Sequence, residues 1–216
     1  MTREIKVDPL SYDGYLLYEK PEFTFYPGMT CLVGCNGSGK TTLMNRVMDI
    51  LKKEKTPFYS HYDKDAKKLL KGRAEMRGTR EDFVNLMSIK YASEGESIAE
   101  TLAIMAQSLG YFVLTEHKDD PEIWLFFDSL DSGLSIDAMD EVAGLFGTIL
   151  RTKPKTMDIY IVMAVNSFEF ARRWMCLDVQ TGRNGIRFEY YEDYSEFIFD
   201  TRKKKDANLK KGPIDG

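Results

Sequence analysis

The hydrophobic positions fall into three patterns, and each predicts a different kind of element. Continuous apolar runs mark strands buried on both faces: Met29-Thr30-Cys31-Leu32-Val33, Ile123-Trp124-Leu125-Phe126-Phe127, and Met157 to Val165 with Ile159, Ile161, Val162 and Met163. Alternation marks an opening sheet region over residues 3–33, with Ile5 and Val7 and then Phe23 and Phe25 before the Pro27-Gly28 turn. Helical spacing runs through Leu43-Met44-Asn45-Arg46-Val47-Met48-Asp49-Ile50-Leu51. It returns from about Arg80 to Tyr91 (Phe83, Leu86, Met87), at Ile98, Leu102, Met105, Ala106 and Leu109, and at Ile136, Met139, Val142, Phe146 and Leu150 before Lys153-Pro154. Pro57-Phe58-Tyr59-Ser60 predicts a further strand, residues 175–191 two short strands around Thr181-Gly182, and Tyr194 to Thr201 a helix. Strands alternating with helices predict an α/β fold, a mainly parallel sheet flanked by helices with an antiparallel β region at the N-terminus.

Between the first apolar run and the first helix lies Gly34-Cys35-Asn36-Gly37-Ser38-Gly39-Lys40-Thr41-Thr42, which fits G-x-x-x-x-G-K-[ST] at every required place. Strand, glycine loop, helix is the context that pattern needs. Glycines let the backbone turn tightly and aim its N–H groups inward, and the helix start adds partial positive charge where phosphates sit. Lys40 is then placed to reach the terminal phosphates and the Thr41 hydroxyl to hold Mg²⁺.

Other candidates follow in chain order. Tyr12, Tyr15 and Tyr18 lie upstream of the loop, one of them available to stack on an adenine ring, although tyrosines in a β region more often pack. Residues 61–80 are polar and basic, a solvated segment or one facing a nucleotide or partner. Ser93-Glu94-Gly95-Glu96 is a capping box, and its serine and glycine at a helix start also suit a phosphate; both readings stand. Asp128 closes a buried strand at its C-terminal end, where ligands sit in open α/β sheets, and suits Mg²⁺. Ser135 suits an N-cap, and the strand ending near Val165 leads to Asn166-Ser167.

Composition narrows the function. With 30 basic and 34 acidic residues the net charge is −4, which does not point to a surface built mainly for nucleic acid. Cys31, Cys35 and Cys176 have no metal spacing and an odd count, as expected of reduced thiols in a cytoplasmic protein. No apolar run reaches membrane-spanning length and no secretory signal opens the chain. The expected organisation is one domain over 1–201, its helical part at about 61–118, and a basic tail over 202–216 (Arg202, Lys203, Lys204, Lys205, Lys210, Lys211) that frays.

The order of these motifs resembles ABC-type ATPases, most of all the small heads related to chromosome-segregation and recombination-repair ATPases and the compact "AAA family" ATP-binding proteins of phages and prophages. Gly34 to Thr42 matches the G-x-N-G-x-G-K-[ST]-T form of that class, Ser93 to Glu96 looks like a degenerate signature motif, and Ser132-Gly133-Leu134-Ser135 falls where the class has its D-loop. The resemblance implies ATP and Mg²⁺ as cofactors, bound in cis by Lys40, Thr41 and Asp128, with Ser93 and Gly95 acting in trans across an ATP-dependent homodimer. It admits a protein partner and DNA, and work in phage or prophage DNA metabolism. Residues 43–92 leave no room for the long coiled-coil insertion of chromosome-segregation relatives.

Two positions depart from the class. Ser129 stands where a catalytic glutamate follows the strand aspartate, and Asn166 where a histidine sits at the switch. Serine cannot act as a carboxylate base and asparagine carries no titratable proton. Asp131 offers a carboxylate, but in the resemblance it lies beyond the catalytic position. The expectation is firm nucleotide binding with slow or partner-dependent hydrolysis. The rivals are a P-loop kinase using Arg73, Arg77 and Arg80 as lid arginines, and a non-hydrolysing ATP-dependent binding module.

Overall fold

The computed structural model describes residues 2–62, 94–132 and 134–214. Strands β1 (Arg3–Lys6) and β2 (Glu22–Phe25) pair antiparallel as a separate two-stranded ribbon. The main sheet contains β3 (Gly28–Val33), β4 (Phe58–Tyr62), β5 (Glu122–Asp128), β6 (Asp158–Ala164) and β7 (Met175–Asp178), in the order β4-β5-β6-β3-β7 with every pairing parallel. Among the described residues the helices are α1 (Lys40–Glu54), α2 (Glu94–Tyr111), which runs into one π-helical turn at Phe112–Glu116, α3 (Ile136–Thr152), the short α4 (Phe168–Ala171) and α5 (Tyr191–Lys210). The fold class is the expected one.

The apolar runs are continuous because both faces of the sheet are covered, and successive residues feed opposite cores. Cys31 and Val33, Ile123, Leu125 and Phe127, and Ile159, Ile161 and Met163 join Met105 and Leu109 of α2, Met139, Val142 and Phe146 of α3, and Tyr194 of α5. Leu32, Trp124 and Phe126, and Tyr160 and Val162 face the other way, onto Leu43, Met44, Val47 and Leu51 of α1 and onto Ile5, Phe23 and Phe25 of the ribbon. Trp124 is the largest fully buried side chain; it stacks on Tyr160 with ring centroids 4.3 Å apart and meets Phe25 edge-on at 5.3 Å. Burying such a ring is worth roughly 1.5–3 kcal/mol, so the sheet is a stiff platform for the loops at its ends.

Register sets what those loops hold. Leu32, Ala164 and Asp128 lie side by side across β3, β6 and β5. The glycine loop after β3, Asp128 at the end of β5 and Asn166 after β6 therefore emerge on one edge, the C-terminal one.

Two expectations at the C-terminal end are corrected. The second short strand in 175–191 is reduced to an isolated bridge between Cys176 and Ile186. The helix expected to stop at Thr201 continues to Lys210, and residues 202–210 are helical where a frayed tail was expected. It has acids in its first turn (Glu192, Asp193) and Lys210 in its last, which suits the helix dipole, and Asp200 pairs with Lys203 one turn on. It is also tied down by contacts to the glycine loop. The expected helix over about 80–91 lies outside the described residues.

Candidate functional site

The glycine loop has the backbone its sequence requires. Gly34 and Gly39 have φ of +148° and +97°, and a Cβ on Gly34 would lie 2.6 Å from Ser38 Oγ, one on Gly39 2.9 Å from the Tyr18 ring. Any side chain at either place collides as well as straining the backbone. Gly39 is the N-cap of α1 and supplies no side-chain acceptor. The first-turn N–H groups of α1 are thus left for a ligand.

Lys40 is buried, and its ammonium donates to the loop's own carbonyls, Gly34 O at 2.7 Å and Cys35 O at 3.3 Å. Burial pushes its pKa down, with the carboxylates of Asp131 and Asp128 pulling the other way. The Thr41 hydroxyl donates to Asp128 Oδ2 at 2.9 Å and the Ser129 hydroxyl to Asp128 Oδ1 at 3.3 Å. Ser129 has φ +56°, a left-handed conformation that side-chain-bearing residues avoid, while its N–H donates to Ala164 O. The chain turns sharply there, directly after the strand aspartate.

Asp131 has a different task from the one weighed in the sequence. Its Oδ2 accepts the N–H groups of Asn166 (2.7 Å) and Ser167 (2.6 Å), while Oδ1 is buried and has no partner among the described residues. Burial raises its pKa, against the lowering effect of those two hydrogen bonds and of Lys40. This carboxyl holds the segment after β6 in place and does not line the cavity.

That cavity, about 260 Å³, is lined by Ser11, Tyr12 and Leu17 on one side, by Asn36 to Thr42 along the loop, and by Asp128, Ser129 and Asn166. The three tyrosines separate cleanly. Tyr18 is fully buried, packs edge-on against Phe23, and donates its hydroxyl to Gly39 O at 2.8 Å. Tyr12 is exposed and faces the cavity, with Arg46 near its ring. Tyr15 is half-buried; its N–H donates to Ser11 Oγ at 3.0 Å. Gly34 and Cys35 sit behind the loop, along a second groove of about 320 Å³ that shares Asn36 and Asn166 with the first and is walled by α5. The Cys35 N–H donates to Thr201 Oγ1 at 3.0 Å, so it is spent on α5 rather than left for a phosphate.

The residues fit a magnesium-bound nucleoside triphosphate. A hydroxyl and a carboxylate oxygen are the hard donors Mg²⁺ takes alongside phosphate oxygens and water. An ammonium and uncapped helix N–H groups suit the phosphates. Thr41 and Asp128 would hold the metal; Asn36 to Thr42 would hold the phosphate chain. Among the described residues no group of three or more His, Cys, Asp or Glu side chains forms a metal site.

The comparisons agree with this geometry. A family model described as AAA domain matches residues 10–120, just over half of the chain and inclusive of the whole glycine loop. The chain belongs to that family. Two solved structures share the fold of this chain over nearly its whole length. One is the ADP conformation of MJ1267, an ATP-binding cassette of an ABC transporter, at 11% identity and TM-score 0.52, covering 97% of this chain and 98% of that one. The other is cbiO1 from Clostridium perfringens, part of the ABC transporter complex cbiONQ, at 16% identity and TM-score 0.52, with 95% of each chain covered. No curated protein matches.

Of the expected site residues, Lys40, Thr41, Asp128, Ser129 and Asn166 converge on one cavity. Gly95 lies in the first turn of α2, while Ser93 and the arginines Arg73, Arg77 and Arg80 lie outside the described residues. Sequence reasoning named Tyr18 and Asp131 but not what they do behind the loop, and it missed Ser11 and Leu17 on the cavity wall and the loop contact of Thr201. Tyr18 carried a packing signal, an aromatic in an apolar setting, and Asp131 only that of a carboxylate near the strand end. The others are short polar or isolated residues whose partners lie far away in sequence.

Proposed function

We propose that this chain is an ABC-type ATPase head that binds Mg-ATP and uses it as a dimerisation switch, with slow or partner-stimulated hydrolysis. One observation carries the reading. The Thr41 hydroxyl and the Asp128 carboxylate, 87 positions apart, meet at 2.9 Å beside an uncapped helix start and a buried ammonium. A loop built only as a turn has no need of that pair. Tyr12 is the side chain placed to stack on the base, because it alone of the upstream tyrosines is exposed and lines the cavity.

When bound, Mg²⁺ would neutralise phosphate charge and bring the phosphates into reach of Lys40. Ser129 Oγ is hydrogen-bonded to Asp128 and offers no carboxylate for orienting or deprotonating water; Asp131 is occupied with Asn166 and Ser167. Among the described residues, that side-chain inventory supports slow turnover. In the proposed dimer Gly95, in the first turn of α2, would act in trans on the partner's nucleotide together with Ser93, as the resemblance implies. Buried free cysteines support a reducing compartment, the cytoplasm, and among the described residues no helix is long and apolar enough to cross a membrane. The phage or prophage setting is the expectation of the resemblance alone.

The test is molar mass by light scattering with ATP and Mg²⁺. The wild-type chain doubles in mass and Lys40→Ala stays monomeric; a wild-type monomer indifferent to nucleotide overturns the switch. Ser129→Glu restores a carboxylate and is expected to raise the single-turnover rate by about 10² or more, the usual contribution of a positioned base.

A further inference from the structure

The loop is touched by two ammonium groups rather than one. Lys40 Nζ takes the carbonyls of Gly34 and Cys35; Lys205 Nζ, from α5, takes the next carbonyl, Asn36 O, at 3.0 Å. The position a Cβ would occupy on Gly37 is 3.6 Å from the same Nζ. Three successive carbonyls at the outer bend of a phosphate loop are thus covered by two lysines, one from inside the motif and one from 165 residues beyond Lys40 in the chain.

Lys205 differs from its neighbours. Lys203 pairs with Asp200 at 2.9 Å and Lys204 with Glu19 at 3.6 Å. Among the described residues Lys205 has no carboxylate partner, and it alone of residues 202–207 is half-buried. It lies four residues after Thr201, one helical turn along the same face, and Thr201 anchors that face by accepting the Cys35 N–H. The anchor fixes where the lysine stem leaves the helix. A flexible four-carbon stem then lets the ammonium exchange a neutral carbonyl for an anion beside it, as Lys40 must also do.

Which end of a bound nucleotide it would meet follows from the cavity walls. Ser11, Tyr12 and Leu17 line only the nucleotide cavity, whereas Asn36 and Asn166 line both it and the groove under α5. The two spaces share only that wall, at the end Tyr12 does not line, and Lys205 itself lines neither space; it touches the wall through the Asn36 carbonyl. With the base on Tyr12, that end holds the last phosphate.

We propose that Lys205 is a second phosphate-binding cation, supplied in cis by the C-terminal helix and directed at the terminal phosphate. The proposal rests on the Mg-ATP reading above and adds a selectivity to it: the chain distinguishes triphosphate from diphosphate through a residue outside its motifs. A cation contributed from elsewhere in the fold stabilises charge on a transferring phosphoryl group in other P-loop enzymes, which makes the chemistry sound.

The experiment is calorimetry on the full chain with Mg²⁺ and either a non-hydrolysable ATP analogue or ADP. Wild type binds both. Lys205→Ala loses about tenfold in affinity for the triphosphate analogue, the scale of one charge-assisted contact, and less than about twofold for ADP. Lys205→Arg recovers most of the loss, and Lys203→Ala, which removes an equal charge two residues away, changes neither. Equal losses for both nucleotides, or no loss for either, overturn the assignment and leave Lys205 a clamp on Asn36. If Lys205→Ala melts below the working temperature, Lys205→Met keeps the apolar stem and is read by the same ratio. A wild-type chain that binds neither nucleotide overturns the Mg-ATP reading itself, and the Lys205 proposal with it; a wild type that binds both while Lys205→Ala spares the triphosphate analogue overturns the Lys205 proposal only.

Discussion

The glycine loop is gripped from two sides, and the two grips are built differently. On the ribbon side, Tyr18 comes out of a finished core, fully buried against Phe23, and donates its hydroxyl to Gly39 O. On the other side, α5 has only Tyr194 and Thr201 buried among its 20 residues, and it reaches the loop through Thr201 and Lys205. The first grip is paid for by hydrophobic burial and sets the shape of the loop. The second is made of polar contacts on a mostly solvated helix, so its strength depends on ligand and ionic conditions.

The largest effect expected is on the fixed side. Gly39→Ala puts a methyl group 2.9 Å from the Tyr18 ring in a left-handed conformation. Backbone strain of about 1–2 kcal/mol adds to displacement of a packed ring, so a drop of about 3 kcal/mol is expected with nucleotide binding abolished. Chemical denaturation and calorimetry on the same preparation check both. An alanine variant that binds ATP normally would break the comparison, because the ribbon side would then not set the loop's shape.

On the tethered side, Thr201→Val keeps the shape and removes the acceptor for the buried Cys35 N–H. An orphaned donor costs about 1–3 kcal/mol, and Thr201→Ser is expected to recover most of it. Protection of the Cys35 amide against hydrogen exchange is the sharper readout, lost in valine and kept in serine. Tyr18→Phe is milder. It removes one hydrogen bond to a carbonyl and keeps the ring, for about 1 kcal/mol, measured as a shift of the melting temperature by about 2–4 °C at this chain length. If Tyr18→Phe costs more than Thr201→Val, the grip on the ribbon side is polar rather than hydrophobic and the contrast fails.

The same contrast explains what could be read from the chain. The sheet was legible because residues such as Trp124, Phe126 and Ile161 are apolar on both faces, a signal few other elements give. The motif was legible because Gly34, Gly39, Lys40 and Thr41 are each required by local backbone or by phosphate chemistry. Asp128 was legible as a carboxylate at the end of a buried run. α5 was cut short at Thr201 because Arg202 to Lys205 and Lys210 to Lys211 carry no apolar period. Its acidic start, its Asp200–Lys203 pair and the absence of Gly or Pro before Gly212-Pro213 were the available helix signals. The contacts of Thr201 and Lys205 with the loop are long-range and polar, and no periodicity records them. Asp131 escaped for a related reason: two N–H groups 35 and 36 residues downstream define its role.

Asp131 gives the smallest effect, and the only one here whose sign turns on pH. Burial raises its pKa above the ordinary 3.8, outweighing the hydrogen bonds from Asn166 and Ser167. Between 3.8 and the raised folded value the native chain binds more protons than the unfolded chain, so this carboxyl favours folding below that interval and loses its contribution as pH climbs through it. Asn at this position keeps a carbonyl acceptor for the two N–H groups and has no proton to lose. The stability of Asp131→Asn relative to wild type is therefore expected to rise with pH across the interval and to level off above it, measured by urea unfolding from pH 4 to pH 7. A difference that falls with pH would mean that the ionised carboxylate is the form the fold prefers. The segment after β6 would then be held by charge, as α5 holds the loop through Lys205, and not by burial.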